Sequence, residues 1–357
     1  MLDAFSIFSA FASAMDSEWA FFAATAALCA LLTLWKSDYR RVVPILSVIA
    51  ISLLLSLALK PALALERPCE GGMARGIDCP QGFSLPSVHT AVAFALVAAT
   101  VGLRTFPIYF IWGLLIGISR VYLNVHTVSD VGAGIAIAIF STAIVDSLGI
   151  SEGIFAMRGL HAPGGSGRHL YARDEFTRKI VQAFIGLVAI FSSIYLGMGN
   201  TVLAVTYCLA AGLVLFHLKS YGHNMPIVDR ILTRLERPSS PAGFGALNFF
   251  AGLLICLTLI PSPQLALSAV FVLSISDGAA AFFGRGSRGL PHHPHKTYRG
   301  SLAFFLSALP VYFIGGVPAL ILATLATLIE SLPLPLDDNL TIPWAGVIAF
   351  SALRAFG

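Results

Sequence analysis

The chain has 357 residues, of which 57% are hydrophobic and only 11% charged, with a formal net charge of +4. Such a composition excludes an ordinary soluble globular domain. The small positive balance is what membrane topology requires, and it needs no nucleic-acid partner.

Apolar runs recur along the whole chain, and about 20 such residues suffice to cross a bilayer. They fall at 17–35, 42–64, 87–104, 106–123, 127–148, 181–198, 200–217, 244–261, 265–283, 300–315, 317–332 and 342–356. The expected fold class is therefore all-α, a polytopic integral membrane protein with about 12 transmembrane helices in two helical bundles. Several runs are short or split by proline, so one or two could be re-entrant. No basic region precedes the first run, and the N-terminus carries Asp3, Asp16 and Glu18. This start does not read as a cleaved signal peptide.

Residues 149–178, centred on Pro163-Gly164-Gly165-Ser166-Gly167, make the longest polar stretch. The expected organisation is a first domain over 1–150, a cytoplasmic linker over 151–179 and a second domain over 180–357. Take twelve helices with both termini on one face. Then 17 of the 22 lysines and arginines fall in loops of a first face, opposite the termini, and Lys60, Arg67, Arg75, Arg120 and Arg354 fall on the other. The positive-inside rule assigns the first face to the cytoplasm.

Three of the five outer cations belong to polar clusters at helix ends: Lys60 with Arg67-Pro68, Pro86-Ser87-Val88-His89, and Ser119-Arg120 with His126 and Asp130. All three clusters fall at the outer face. His126 and Asp130 are four apart, hence on one face of a helix. A carboxylate there accepts the proton of one ring nitrogen and orients the other as a nucleophile. His89 can protonate a leaving oxygen. Lys60, Arg67, Ser87 and Arg120 can bind phosphoryl oxygens. This chemistry requires no cofactor. The bland alternative is snorkelling cations and satisfied histidines, but it does not account for three clusters on one face. In the loop between the first two clusters, Cys69 and Cys79 could form a disulfide in an oxidising compartment or stay as free thiols. Cys29, Cys208 and Cys256 read as packing residues.

These clusters resemble the type 2 phosphatidic acid phosphatase (PAP2) superfamily, with its K-x6-RP, PSGH and SR-x5-H-x3-D pattern. The resemblance covers roughly 40–148. It implies a phosphohistidine on His126, with His89 as general acid and Asp130 as the orienting carboxylate. Val88 stands where the family has Gly, which puts the geometry of that turn in question. The family has six helices where five are read here, and residues 3–14 lying in the interface are the candidate for the sixth.

The second half gathers its polar residues at the other membrane face. Asp277-Gly278 opens a stretch ending Gly284-Arg285, and Lys296-Thr297-Tyr298-Arg299-Gly300-Ser301 follows. Glu330, then Asp337-Asp338-Asn339, close the set, with Glu236 and Asn248 flanking the eighth run. Glycine and cation loops at helix ends can cradle nucleotide phosphates, and carboxylates can hold Mg²⁺ through them. A solvated positive-inside loop is the alternative. His292, His293 and His295 read as a solvated loop in preference to a metal site.

This half resembles the dolichol kinase, phytol kinase and CTP-dependent diacylglycerol kinase family over roughly 180–357. The resemblance implies phosphoryl transfer from CTP to a lipid alcohol. Gly284, Arg285, Lys296, Thr297, Arg299 and Asn339 would take the nucleotide and its phosphates. Asp277, Asp338 and Glu330 would take Mg²⁺.

The expected protein is thus a bifunctional membrane enzyme. An outer lipid phosphate or diphosphate phosphatase, favouring isoprenoids, accompanies a cytoplasmic CTP-dependent lipid-alcohol kinase. Its partners are lipid phosphates, lipid alcohols and a nucleoside triphosphate. Phosphatidate and diacylglycerol as substrates, or one active half, remain open. A transporter or flippase is the reading from another class. Transporters place charges near the bilayer midplane within repeated halves, whereas these charges sit at helix ends and the halves differ in motif.

Overall fold

The structure is a computed structural model that describes residues 4–34, 42–70, 72, 74–150, 168–235, 243–290 and 293–356. Lys36, Arg40, Arg41, Arg158, the Pro163–Gly167 run, Glu236, Arg237 and His292 lie outside the described residues. The chain divides into two compact units, Met1–Phe155 and Ala156–Gly357.

The first unit contains α1 (Ala4–Ala14), α2 (Glu18–Leu34), α3 (Val42–Leu63), α4 (Val88–Ala99), α5 (Phe106–Tyr122) and α6 (Val128–Ser147). At its centre α4 packs on α6, with α3 against both and α5 beside α4. Every residue of α4 from Thr90 to Ala99 is buried. Its alanine-rich sequence explains this, because small side chains let helices approach closely where lipid offers no hydrophobic gain. Gly134 on α6 is the tightest point. A Cβ there would lie 2.8 Å from the Ser87 carbonyl oxygen and 2.9 Å from the Ala91 nitrogen. The sixth helix left open by the sequence is α1. Ala12 is fully buried with Cys69, Leu123 and Val125, and Phe5 and Phe8 meet Tyr122 edge-on.

The second unit contains α7 (Arg168–Tyr195), α8 (Met198–Ser220), α9 (Pro226–Leu235), α10 (Phe244–Thr258), α11 (Pro263–Phe271), α12 (Asp277–Phe283), α13 (Tyr298–Ala308), α14 (Tyr312–Ser331), α15 (Asp338–Thr341) and α16 (Pro343–Phe356). Residues Val272–Ser276 join α11 to α12 as one π-helical turn. Such turns are frequent at functional sites. Inside α14, Gly316 has φ +63° and Pro318 follows, which breaks the regular helix.

Three expectations need correction. The linker expected over 151–179 ends early, because α7 starts at Arg168. The all-α class stands, but one hairpin, β1 (Gly289–Leu290) paired antiparallel with β2 (His293–Thr297), takes the place of the loop expected at the histidines. Among the described residues, six helical segments are long and apolar enough to span a membrane: Val42–Leu63, Val128–Ser147, Glu175–Tyr195, Met198–Ser220, Pro263–Phe283 and Tyr298–Ser331. Five shorter apolar helices accompany them, so the count of twelve is not reached on length alone.

Gly134→Ala should force α4 off α6. Overpacking of this kind costs about 1–3 kcal/mol, so the variant should unfold at clearly lower temperature. An unchanged midpoint would show that the helices can separate freely there.

Candidate active site

The first unit draws its three clusters together through Asp130. At the start of α6, Thr127 and Asp130 form a capping box: Asp130 N donates to Thr127 Oγ1 (3.2 Å), and Thr127 N donates to Asp130 Oδ2 (2.7 Å). The backbone carbonyl of Asp130 accepts from Ser87 N at 3.0 Å. Ser87 in turn caps α4, its Oγ accepting from Thr90 N at 3.4 Å. The residues that begin α4 and α6 are therefore bonded to each other.

His126 sits just before α6 and is 5% exposed. Its Nδ1 lies 3.5 Å from Asp130 Oδ2 and 3.4 Å from Ser84 Oγ. Ser84 Oγ donates to the same carboxylate oxygen at 2.5 Å, so its lone pairs are what it offers Nδ1. On the other edge of the ring, Arg67 Nη1 lies 3.3 Å from Nε2. Arginine has only donors. One tautomer satisfies both edges, with the proton on Nδ1 and the lone pair on Nε2. This assignment comes from the hydrogen-bond network. Burial, then the Arg67 and Lys60 charges, push the His126 pKa down to about 4 against the pull of Asp130. The ring is thus neutral at physiological pH.

Backbone carbonyls aim the cations. Lys60 Nζ donates to the carbonyls of Phe83 and Ser84, the latter at 3.3 Å. Arg67 Nε donates to Gly82 O (3.1 Å) and Nη1 to Val125 O (3.2 Å). Burial holds the Arg67 pKa below its ordinary value. A Cys69–Cys79 disulfide closes the loop that begins two residues after Arg67. Cys256 is buried as expected of a packing residue, while Cys29 is half-buried and Cys208 is exposed.

His89 follows Val88 in the first turn of α4. Its ring packs on Phe21 at 4.4 Å between centroids, and its buried Nε2 has no hydrogen-bond partner. It lies within Coulombic reach of Arg120, His126, Arg67 and Lys60. Val88 begins an ordinary helix, with its side chain against the Phe21, Val92 and Ile116 cluster, so the turn does not need glycine there. Arg120 is placed differently from a free phosphate ligand. It is 1% exposed, with Nη1 on Asp16 Oδ1 (2.9 Å), Nη2 on the Ala12 carbonyl (3.1 Å) and Nε on Ser119 Oγ (3.2 Å).

In the second unit the expected residues converge, but as ion pairs. Lys296 Nζ lies 2.8 Å from both Glu330 Oε1 and Asp338 Oδ2. Glu330 also accepts from Ser301 Oγ at 3.1 Å. Buried Asp277 pairs with Lys179. The two carboxylates hold the Lys296 pKa above its ordinary value, although burial opposes them. The Mg²⁺ set expected from Asp277, Asp338 and Glu330 does not fit this arrangement. Each carboxylate is paired with a lysine, Glu330 and Asp338 sharing Lys296, and the described residues contain no group of three His, Cys, Asp or Glu that could hold a metal ion. Thr297 caps α13, accepting from Gly300 N at 3.1 Å and donating to Gly284 O at 3.2 Å. Arg285 and Arg299 are exposed, and Asn339 is buried with its Oδ1 unpartnered.

Sequence reasoning missed Ser84, Asp16, Phe21 and Lys179. Ser84 stands two residues before Pro86 and could have been found as an extension of that cluster. Asp16 was visible as a lone carboxylate ahead of an apolar run. Nothing in the sequence marks Phe21 or Lys179 as partners of residues that lie 68 and 98 positions away.

The PAP2 superfamily pattern matches residues 41–148. Over 181 residues the chain is 30% identical to an uncharacterized protein of Methanocaldococcus jannaschii, covering 49% of this chain and 91% of that protein. Over 98 residues it is 33% identical to a decaprenylphosphoryl-5-phosphoribose phosphatase of Mycobacterium tuberculosis, covering 27% of this chain and 54% of that enzyme. The chain thus spans about half the length of the mycobacterial relative. No solved structure matches. By its identity and coverage with the Methanocaldococcus protein the chain belongs to that protein's family, and its first unit carries the PAP2 superfamily match.

Proposed function

We propose that the first unit is a lipid phosphate phosphatase that works through a phosphohistidine on His126. The observation that carries this reading is the fixed tautomer. Ser84 and Asp130 take the Nδ1 proton, leaving the Nε2 lone pair on the side lined by Arg67. A phosphoryl group held by Arg67 and Lys60 is attacked by Nε2. The P–N bond forms as the P–O bond to the lipid breaks, and His89, protonated once the phosphate charge offsets the cations around it, gives its proton to the leaving oxygen. Water then attacks the phosphorus, His89 takes its proton, and the P–N bond breaks to release inorganic phosphate. The growing imidazolium charge is offset by Asp130, and the equatorial oxygens by the cations.

The favoured substrate is an isoprenoid-linked phosphate, either a monophosphate or a diphosphate. The mycobacterial relative, named for a decaprenyl-linked phosphate, supports that class. Phosphatidate is the alternative, since apolar tails are bound by similar apolar surfaces. The count of loop charges supports an extracytoplasmic position for this site.

For the second unit we propose transfer of the γ-phosphoryl of CTP to the oxygen of a lipid alcohol, giving CDP and a lipid phosphate. This rests on the Asp277-to-Ser301 motifs and on the convergence of Lys296, Glu330 and Asp338. Any Mg²⁺ would have to arrive with the triphosphate.

His126→Ala should abolish phosphatase turnover, and His89→Ala should slow leaving-group departure, while EDTA leaves the wild-type rate intact. Full activity in His126→Ala would sink the assignment. The neutral imidazole is the reactive form and exists above its pKa. The acid limb of kcat/KM should therefore fall as pH drops through about 4, instead of near the ordinary histidine value of 6.5. Asp277→Asn should abolish incorporation of radiolabel from CTP into a lipid alcohol and spare the phosphatase. Retained labelling would overturn the kinase reading alone.

A further inference from the structure

Arg120 is the one cation of the first cluster set that already carries an anion. Arginine offers five N–H donors. Asp16, the Ala12 carbonyl and Ser119 Oγ engage all three of its nitrogens, and the side chain is 1% exposed. Asp16 comes from the turn between α1 and α2, 104 residues away in sequence. Its charge also reaches Arg67, the arginine beside the His126 nucleophile. A carboxylate in contact with one of these arginines and in the field of the other is a negative charge inside an anion site. Structure alone explains half of this, because a buried arginine without a counter-ion is strongly destabilising. It does not explain why the counter-ion lies where phosphate charge must come.

We infer that Asp16 is a resident anion that neutralises Arg120 in the free enzyme and competes with phosphate for it, so that Asp16 sets the affinity of the site for phosphate. This rests on the phosphatase reading of the first unit. Substrate phosphate displaces the carboxylate from the guanidinium, and α1, which brings Asp16 and Ala12 to Arg120, yields as it does so. After hydrolysis the same carboxylate returns to Arg120 and favours departure of inorganic phosphate. Asp16 is thus an affinity-determining residue that acts through Arg120 and touches no reacting atom.

The test compares wild type, Asp16→Asn and Asp16→Glu as full-length protein in detergent, with inorganic phosphate as the probe. Two quantities are read: the thermal midpoint with and without phosphate, and the inhibition constant of phosphate against lipid phosphate hydrolysis. Asp16→Asn should melt below wild type without phosphate and gain more from phosphate than wild type does. Its inhibition constant should fall by about tenfold, the size expected on removing a nearby like charge. Asp16→Glu keeps the charge and should behave as wild type. The inference fails if Asp16→Asn loses the same stability with and without phosphate, which is the signature of a purely structural pair. It fails equally if phosphate stabilises no variant, or if the inhibition constant is unchanged or raised. Absence of lipid phosphate hydrolysis by wild type would sink the functional reading instead, and the thermal comparison would still decide on Asp16.

Discussion

The first unit depends on one aspartate with four bonded neighbours, three at its carboxylate and one at its backbone carbonyl. Asp130 caps its own helix through Thr127, receives the start of α4 through Ser87, and faces His126 directly and through Ser84. Each contact would be modest alone, since a capping bond contributes about 1 kcal/mol. Together they tie the register of α4 to that of α6, so His89 and His126 cannot slide independently. Gly134 permits this by letting the α4 backbone close on α6. The aim of the His126 ring therefore follows from helix capping, a local and sequence-encoded effect. It does not depend on the lipid-facing surface.

Much of this was legible because the chemistry clusters in sequence and stands out against apolar surroundings. A charged residue at a helix end has few reasons to be there, and a four-residue spacing fixes a shared helix face. The apolar runs likewise marked where helices lie, with ends within a few residues for α2, α3, α5 and α6. What stayed hidden was pairing across the bundle. Arg120 looked like one more free cation until α1 brought Asp16 to it, and no periodicity of an 11-residue helix announces that contact. The hairpin was hidden because His293–Thr297 contains Pro294, which argues against a central strand. It escapes that rule as half of a lone two-stranded ribbon. The π turn was hidden because the apolar run through it looks like ordinary helix. It shows in the backbone, where the Asp277 N–H donates to the Val272 carbonyl five residues back, beside the close approach of Gly186 on α7 to Ser274.

The two units also differ in how their charges balance, and that difference bears on what each can bind. Around His126, Lys60 and Arg67 are held by neutral carbonyls, and their positive charge is left for a ligand. Backbone carbonyls aim such groups without neutralising them, which favours binding of an anion. Around Lys296 and Lys179 the bonded partners are carboxylates, three of them for two lysines. Such a cluster is self-satisfied, and an incoming anion meets surplus negative charge.

A phosphate-bearing ligand can enter the second cluster only if a lysine exchanges its carboxylates for the ligand, or if a cation arrives with the phosphates. The structure contains the means for the first route. Lys296 is shared between two carboxylates, and Asp338 is the more exposed of them, its side chain 30% accessible against 5% for Glu330. Losing Asp338 leaves Lys296 tethered by Glu330, which Ser301 in turn holds. A lysine anchored on one side and released on the other can reach a phosphate without being left unpaired. The Asp16–Arg120 contact, read as inferred above, has the same form: a carboxylate more exposed than its cation holds that cation until a better anion displaces it. In a low-dielectric bundle an unpaired cation is too costly to keep ready, so an anion site is most cheaply stored with an anion of its own.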